Sequence, residues 1–205
     1  MTYVRALPKA ASIAGLHTTR YALRLLDQYE CRRILDVGCG DAYFEETFPG
    51  RFVGLDIERN RVLQAGKRGV ELLPVGDGQH LPLADAEFDG LLAKDVLEHL
   101  YLEQAFRFLH EVWRVLEPGG IFVTVTFRNR QSFWDKPDHV RPYSNKWVNR
   151  VMTQEMGSFE VVWARDLSAG IPGFGRLRLE WLTHALAHYL KVRTDHGLIC
   201  LRKTG

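Results

Sequence analysis

Four aspartates stand at or just beyond the ends of short apolar segments in the first half of the chain: Asp36, Asp56, Asp77 and Asp95. If those segments are parallel strands, their carboxyl ends meet at one edge of a sheet and the four side chains converge on one crevice. Carboxylates are acceptors for hydroxyl groups and partners for cations, and they repel phosphate. The pattern therefore predicts a site for a ligand that carries hydroxyls and positive charge but no phosphate.

A glycine-rich segment, Asp36-Val-Gly-Cys-Gly-Asp-Ala42, follows the first apolar run. Glycine lets the backbone approach a ligand closely, and the start of the next helix offers free N–H groups. A dinucleotide fingerprint needs a third glycine where Tyr43 stands, and Asp41 would repel a pyrophosphate. The Gly-Lys-Ser/Thr of a phosphate-binding loop is also absent. Asp56, 18 residues after Gly38, is placed to bind a ribose diol.

Strand and helix signals alternate along the chain, which predicts a parallel sheet with helices on both faces. An amphipathic helix is expected over 18–30, with Thr18 as its cap, and a second over 103–116, before the helix-ending turn Glu117-Pro-Gly-Gly120. Strands are predicted at 33–37, 51–56, 70–75, 88–93, 121–127, 159–163 and 197–201. The predicted fold is thus α/β, a Rossmann-like, doubly wound, mostly parallel seven-stranded sheet, with an inserted helix near the C-terminus at 176–190.

Composition narrows the function classes. The 205 residues fit one domain, 1–205, and 46% hydrophobic with 25% charged residues is ordinary for a globular protein. A net charge of +2 and no concentrated basic patch give no reason to expect nucleic acid. Three cysteines lie far apart without metal-ligand spacing, so neither a disulfide framework nor a metal site is predicted. With no apolar signal or membrane-spanning run, we expect a cytoplasmic protein.

Four stretches together resemble the class I S-adenosylmethionine-dependent methyltransferases, in the small-molecule type that contains the methyltransferase 11 domain. The stretches span 33–127: Ile34-Leu-Asp-Val-Gly-Cys-Gly40, Val53-Gly-Leu-Asp56, Gly76-Asp-Gly-Gln-His-Leu-Pro-Leu83 with Phe88-Asp89, and Asp95-Val-Leu-Glu-His99 with Leu116-Glu-Pro-Gly-Gly120. The resemblance implies S-adenosylmethionine as cofactor, whose ribose, ammonium and sulfonium suit the acidic crevice. The chain departs from the family at Ala42, where a third glycine is common; alanine is small enough to be tolerated.

The resemblance also implies the cofactor-binding residues. Gly38, Cys39 and Gly40 would lie against the amino acid moiety, with Asp36 supporting that loop. Asp56 would hold the ribose, Ile57 would flank the adenine, and Asp77 with the backbone at Gly78 would meet the adenine edge. The carbonyl of Lys94 would meet the ammonium. From position alone, Cys39 fits small packing rather than nucleophilic chemistry, and Asp89, at the start of its strand, is not expected to bind ligand.

On the acceptor side, a hydroxyl acceptor calls for a base that titrates near neutrality, and two histidines stand at suitable places. His99 follows the fourth strand and His139 lies just beyond the fifth. Both are predicted to be catalytic, although a structural hydrogen bond to a loop is the alternative for each. Arg141, Tyr143 and Trp134 are predicted to contact the acceptor, with fixing of the loop as the alternative.

Residues 128–147 and 167–192 are the predicted acceptor-side cap. Within 176–193 a basic amphipathic helix predicts either packing on its own domain or weak contact with a membrane surface or lipid. The main functional hypothesis is methyl transfer to a small molecule at a hydroxyl oxygen, such as a sugar, a polyketide-like compound or a lipid-linked metabolite. The alternatives are methylation of protein or nucleic acid and a non-catalytic cofactor-binding partner protein. A monomer and a homodimer are both open.

Overall fold

The computed structural model describes residues 13–70, 75–128, 131–167 and 196–205, with side chains from residue 18 onward except that of Ser132. The predicted inserted helix and most of the second cap segment, 167–192, lie outside the described residues. So do four of the six residues of the strand predicted at 70–75.

Helices and strands alternate in the described residues, as the sequence predicts. The helices are α1 Ile13–Gln28, α2 Tyr43–Thr47, α3 Arg59–Lys67, α4 Leu102–Val115, α5 Gln131–Trp134 and α6 Asn145–Arg150, with a 3-10 turn at Leu97–His99 and a π turn at Val151–Glu155. The strands are β1 Ile34–Val37, β2 Phe52–Leu55, β3 Phe88–Lys94, β4 Leu116–Phe127, β5 Phe159–Leu167 and β6 His196–Lys203.

The six described strands form one sheet in the order β2-β1-β3-β4-β6-β5. Strands β1 to β4 pair in parallel, whereas β6 is antiparallel to β4 and β5 is antiparallel to β6. Val37 in β1 pairs with Leu55 in β2 and with Ala93 in β3. The loops that follow these three strands therefore leave the sheet at the same edge, where doubly wound sheets bind ligands. The predicted α/β fold and mostly parallel sheet are confirmed.

Both faces of the sheet are covered, because consecutive residues of its central strands enter different apolar clusters. Leu91 packs with the cluster that contains α4, and Leu92 packs with the cluster that contains α1. Phe122 and Val123 divide between the two clusters in the same way. The side-chain period of two in a strand produces this division, and burial on both sides explains why the strand sequences are almost continuously apolar.

Two predicted boundaries differ from the structure. Helix α1 begins at Ile13 rather than at Thr18, which lies buried inside it. Strand β4 begins at Leu116, directly after α4, although a helix-ending turn was expected over 117–120 and a strand from 121. Leu116 pairs with Phe88 of β3, and a register shift in that pairing accommodates the exposed residues 117–119. The long-range pairing therefore extends the strand through the turn-forming residues.

Candidate cofactor crevice and acceptor side

The loop after β1 is built on backbone conformations that favour glycine. Gly38 and Gly40 have φ of 75° and 57°. The N–H groups of Gly38 and Cys39 both donate to the carbonyl of Leu55, at 2.8 and 3.1 Å. A Cβ added to Gly38 would lie 2.6 Å from a methyl carbon of Val96, closer than side chains approach each other. The loop thus needs glycine at 38 for both conformation and space.

Ala42 also adopts the left-handed conformation, with φ 54° and ψ 43°, immediately before α2. An alanine in this region costs roughly 1–2 kcal/mol that glycine would not. The side chain is fully buried, so its methyl group gains packing in exchange. The loop therefore keeps the conformation expected of a third glycine although the residue is alanine.

Asp56, directly after β2, connects the glycine loop to the next helix. One carboxylate oxygen accepts from the N–H of Gly40 at 2.8 Å, and the other accepts from the N–H of Glu58 at 2.8 Å. Each oxygen has a second lone pair, so the carboxylate can still accept from ligand hydroxyls. Ile57 follows it with 67% of its side chain exposed. An acceptor and a bare apolar surface therefore stand side by side at the sheet edge.

The segment Gly76–Gln79 continues that edge. Asp77 accepts from the backbone N–H of Gln79 at 2.9 Å and from its side-chain amide. The amide oxygen of Gln79 accepts from Arg107 of α4 at 2.9 Å. A Cβ on Gly78 would lie 3.1 Å from Val37 and 3.2 Å from Phe108, so the backbone here is pressed against the core. These contacts hold Asp77 in place from both sides.

Two buried carboxyl groups lie beneath the loop, and sequence reasoning singled out only one of them. Asp36 in β1 and Glu45 in α2 are both buried. Burial raises the pKa of Asp36 well above its usual range, with a further contribution from Glu45, and Lys94 opposes the shift. Burial raises the pKa of Glu45 to about 7. Neither oxygen of Glu45 has a hydrogen-bond partner among the described residues. A cationic group of a ligand placed beside this pair would favour the ionised form of both carboxyl groups.

Glu45 could have been noticed in the sequence, because it stands between Phe44 and Phe48 in a short helix that packs on the sheet. Cys39 lies close to the same carboxylates. Burial and the nearby charges of Asp36 and Glu45 raise the pKa of its thiol. A thiol held protonated is a poor nucleophile. This environment agrees with the packing role predicted for Cys39.

Lys94 ends β3, and its partner in β4 is Val125. Asp95 follows in the left-handed conformation, with φ 58°, and its N–H donates to the carbonyl of Val125 at 2.9 Å. The Lys94 ammonium contacts the Asp95 carboxylate. Val37 of β1 pairs with Ala93 of β3, so the next residues of the two strands, Gly38 and Lys94, stand side by side. The glycine loop, Asp36 and Lys94, which are expected to surround the amino acid end of a ligand, are thus adjacent.

The structure brings together the two histidines that were predicted to be catalytic, although 40 positions separate them. The ring centroids of His99 and His139 are 5.1 Å apart, edge to face. Two backbone hydrogen bonds connect their segments, because the carbonyl of Glu98 accepts from Val140 at 2.8 Å and from Arg141 at 3.3 Å. His99 Nδ1 lies 3.0 Å from the carbonyl of Asp138. The loop after β4 is therefore fastened over the end of β3.

Glu98 adds a carboxyl group to this pair, a role that the sequence did not reveal. Its side chain is 0% exposed, and neither oxygen has a hydrogen-bond partner in the described part of the chain. His139 is buried as well, and its Nδ1 has no partner there either. One ligand-capable atom from each of Glu98, His99 and His139 lies within 4.8 Å of the other two. We call these three residues the Glu-His-His cluster.

The three residues predicted to contact the acceptor lie in different surroundings. Tyr143 is 1% exposed and donates its hydroxyl to the carbonyl of Leu100 at 2.9 Å, so the structure places it in the core rather than at a pocket surface. Arg141 is exposed, with its guanidinium 5.7 Å from the Tyr143 ring. Trp134 is 57% exposed and stacks edge to face on Phe133, whose ring is 4.8 Å from that of His139. Of these three residues, only Trp134 presents an exposed apolar surface near the cluster.

Asp89 lies near the start of β3, at the edge of the sheet opposite the glycine loop. Its carboxylate accepts from the N–H groups of Arg32 at 2.7 Å and Arg33 at 2.9 Å. It therefore fixes the chain before β1.

Known proteins resemble this chain in sequence and fold. Residues 35–124 match the family described as the methyltransferase domain. A fatty-acid O-methyltransferase of Mycolicibacterium smegmatis is 35% identical over 142 residues, which are 65% of this chain and 49% of that protein. A phthiotriol/phenolphthiotriol dimycocerosates methyltransferase of Mycobacterium ulcerans is 33% identical over 174 residues, which are 78% and 63% of the two chains.

Among solved structures, an S-adenosylmethionine-dependent methyltransferase from Archaeoglobus fulgidus superposes with a TM-score of 0.69 and 18% identity, over 93% of this chain and 94% of that one. This likeness shows the fold. The chain spans about half the length of the fatty-acid O-methyltransferase and under two thirds of the dimycocerosates enzyme. Within the described residues, no helix has the length and apolar character needed to cross a bilayer.

Proposed function

The chain belongs to the class I S-adenosylmethionine-dependent methyltransferases, and on that premise we propose that it transfers a methyl group to an oxygen atom of a small, lipid-like acceptor. The observation that carries the methyl-transfer part of the proposal is the position of Asp56 next to the exposed Ile57. Both stand at the edge of the sheet where the glycine loop and two buried carboxyl groups also lie. The arrangement offers a partner for each part of the cofactor.

The cofactor's polar and apolar parts fit the crevice residues in order. The free lone pairs of Asp56 would accept the two ribose hydroxyls, and the exposed side chain of Ile57 would cover one face of the adenine. Asp77 and the backbone at Gly78 would meet the edge of the ring. Asp36 and Glu45 lie buried beneath the loop, where the ammonium and the sulfonium of a bound cofactor would favour the ionised form of both carboxyl groups.

The residues on the acceptor side would align the acceptor oxygen with the methyl group and could accept a proton from the acceptor. The bound cofactor supplies an electrophilic methyl group, to which an acceptor oxygen forms a bond as the carbon–sulfur bond breaks. We assign His99 and His139 to the acceptor, since both stand at the edge that follows Lys94: they would remove the proton of a hydroxyl acceptor and would position the oxygen of a carboxylate acceptor, which is already ionised at pH 7. Burial and the charge of Lys136 lower the pKa of His139, so its imidazole is neutral at pH 7 and able to accept a proton.

A lipid-like acceptor is favoured by two observations. The names of two relatives specify a fatty acid and a dimycocerosate as what those proteins methylate. In this chain, the exposed ring of Trp134 and the buried ring of Phe133 lie beside the histidines and provide apolar surface for an alkyl chain. Arg141 is exposed in the same loop, where its charge would attract a carboxylate.

An assay with cofactor labelled in its methyl group tests this proposal. Purified protein is incubated with a panel that contains saturated fatty acids, the matching fatty alcohols, a sugar and a transfer RNA. We expect label in the organic phase with a fatty acid, and release of that label by mild alkali if a methyl ester has formed. Trp134→Ala is expected to raise KM for the lipid acceptor, with Trp113→Ala, which changes a half-exposed tryptophan of α4, as the matched control. Label in the sugar or the RNA alone would contradict the lipid acceptor.

A further inference from the structure

We propose that Glu98, His99 and His139 form a binding site for a divalent transition-metal ion of the zinc class. The cluster combines one carboxylate and two imidazoles from the 3-10 turn after β3 and the loop after β4. None of the sequence patterns for metal sites reveals it, because Glu98 and His99 are neighbours whereas His139 is 40 positions away.

The spacing of the cluster suits an ion after small side-chain movements. The three ligand atoms already lie within 4.8 Å of one another. Bonds of about 2.0–2.2 Å to one zinc ion place tetrahedral ligand atoms roughly 3.3–3.6 Å apart. Side-chain rotations that move the ligand atoms by about an ångström would bring them to the tetrahedral spacing. Two histidines and one glutamate are also a known ligand set for zinc, one that leaves a fourth position open.

Several buried acceptors at this place have no hydrogen-bond partner among the described residues. Glu98 is fully buried, and neither of its oxygens is hydrogen-bonded within the described residues. His139 Nδ1 and Asp95 Oδ1, which are close to it in the fold, are also buried and without partners there. An unsatisfied buried acceptor costs about 1–3 kcal/mol, and more when it is charged. One cation would satisfy several of these acceptors together.

The surroundings of His99 match those of a metal ligand. Its Nδ1 lies 3.0 Å from the carbonyl of Asp138 and 3.5 Å from the carboxylate of the same residue. A donor bond to that carbonyl places the ring proton on Nδ1 and leaves the Nε2 lone pair free. Histidines that bind metals are usually oriented by such a bond to a carbonyl or carboxylate. The backbone bonds from Val140 and Arg141 to the carbonyl of Glu98 hold the two segments at a fixed distance.

The donor set selects the kind of ion. Two nitrogen atoms and one carboxylate favour zinc, cobalt, nickel or ferrous iron, whereas magnesium and calcium prefer oxygen ligands alone. His99 is partly exposed, so an ion can enter from solvent.

Bound metal would replace the two histidines as the group that activates a hydroxyl acceptor, a consequence that rests on the proposed function. With the ion in place, both imidazoles are ligands and cannot take a proton. An acceptor oxygen at the open position would then lose its proton to solvent, as its O–H bond breaks, and would keep the lone pair that attacks the methyl carbon. Metal binding itself needs neither cofactor nor acceptor, so the two proposals can fail separately.

Calorimetric titration of metal-stripped, tag-free full-length protein with Zn²⁺ is the test, with the visible absorption of the Co²⁺ form as a second measurement. We expect one tight equivalent that Mg²⁺ does not displace. Glu98→Gln and His139→Asn should each weaken that equivalent at least about tenfold, and His99→Asn should alter the Co²⁺ spectrum. His110→Asn, an exposed histidine of α4, is the matched control and should bind as the wild type does.

Binding of S-adenosylmethionine and circular dichroism establish that the variants are folded. His99 is partly exposed, so its variant provides a test if the two buried substitutions unfold the chain. The proposal is overturned if Zn²⁺ does not bind, or if binding in folded cluster variants equals that of the wild type. The latter result would mean that an ordered water molecule satisfies the buried acceptors and that any bound Zn²⁺ is held by other histidines.

Discussion

A carboxylate oxygen of Asp56 accepts the backbone N–H of Gly40 at 2.8 Å, so the residue proposed to hold the ribose also fixes the loop proposed to hold the amino acid end of the cofactor. The second oxygen accepts the N–H of Glu58 before α3. The two ends of the binding site are therefore coupled through one side chain. A change at Asp56 acts on the ligand contact and on the shape of the loop.

Replacement of Asp56 by alanine is expected to weaken binding of S-adenosylmethionine by about 1–3 kcal/mol, because charge-assisted hydrogen bonds to the ribose are lost. Calorimetry measures the difference. Asp41→Asn changes an exposed carboxylate in the same loop and should leave affinity nearly unchanged. Equal affinities of wild type and Asp56→Ala would remove Asp56 from the ribose site.

Gly38→Ala is expected to lower the free energy of unfolding by more than the conformational penalty of about 1–2 kcal/mol for alanine at positive φ. The added Cβ would also lie 2.6 Å from Val96, so the loop must move. Gly157→Ala has a similar φ, 67°, and no atom within 4 Å of the new Cβ, and it isolates the conformational cost. Chemical denaturation of both variants gives the comparison. Equal losses would show that the contact with Val96 is relieved at no cost.

Glu45 makes stability depend on pH. Its pKa is about 7 in the folded chain and 4.5 in its ordinary state, so the folded state binds more protons between these values. The free energy of unfolding should therefore fall as pH rises from about 4.5 to 7 and then level off. In Glu45→Gln this contribution is absent. Relative to wild type, the variant should gain roughly 1–3 kcal/mol between pH 4 and pH 8, measured without cofactor by denaturation. Parallel pH curves for the two proteins would contradict a buried, proton-binding Glu45.

His139→Ala is expected to reduce turnover by about 10²–10⁴-fold while cofactor affinity stays within twofold of wild type, because the residue acts on the acceptor. His110→Asn serves as the control for loss of an imidazole elsewhere. Steady-state rates and calorimetry separate the two effects. A loss of cofactor affinity without a loss of turnover would make His139 a structural residue.

Much of the fold follows from local sequence. Strands β1, β2 and β3 lie where apolar runs end in glycine or aspartate, because burial on both faces demands such runs and the crevice demands polar residues after them. Helix α4 follows its 3.6-residue period. The early start of β4 at Leu116 was not predictable, since it depends on pairing with Phe88 across the sheet.

The sequence identified the cofactor crevice better than the acceptor side. The glycine loop and Asp56 are close in sequence and have local signatures. Glu45 stands between aromatic residues and could have been noticed, whereas the burial of Glu98 depends on which face of the 3-10 turn Leu97–His99 meets the core, and a turn of three residues has no periodic pattern that reveals this. Tyr143 was expected at the pocket, but its ring lies in the core, where its hydroxyl donates to the carbonyl of Leu100.

Calorimetric titration of the purified chain with S-adenosylmethionine, S-adenosylhomocysteine and NAD tests the central claim most directly. The account predicts micromolar binding of the first two ligands and none of NAD, because the carboxylates of the crevice would repel a pyrophosphate. If neither S-adenosylmethionine nor S-adenosylhomocysteine bound to folded protein, the fold would stand and the assignment of a methyltransferase activity to this chain would be contradicted.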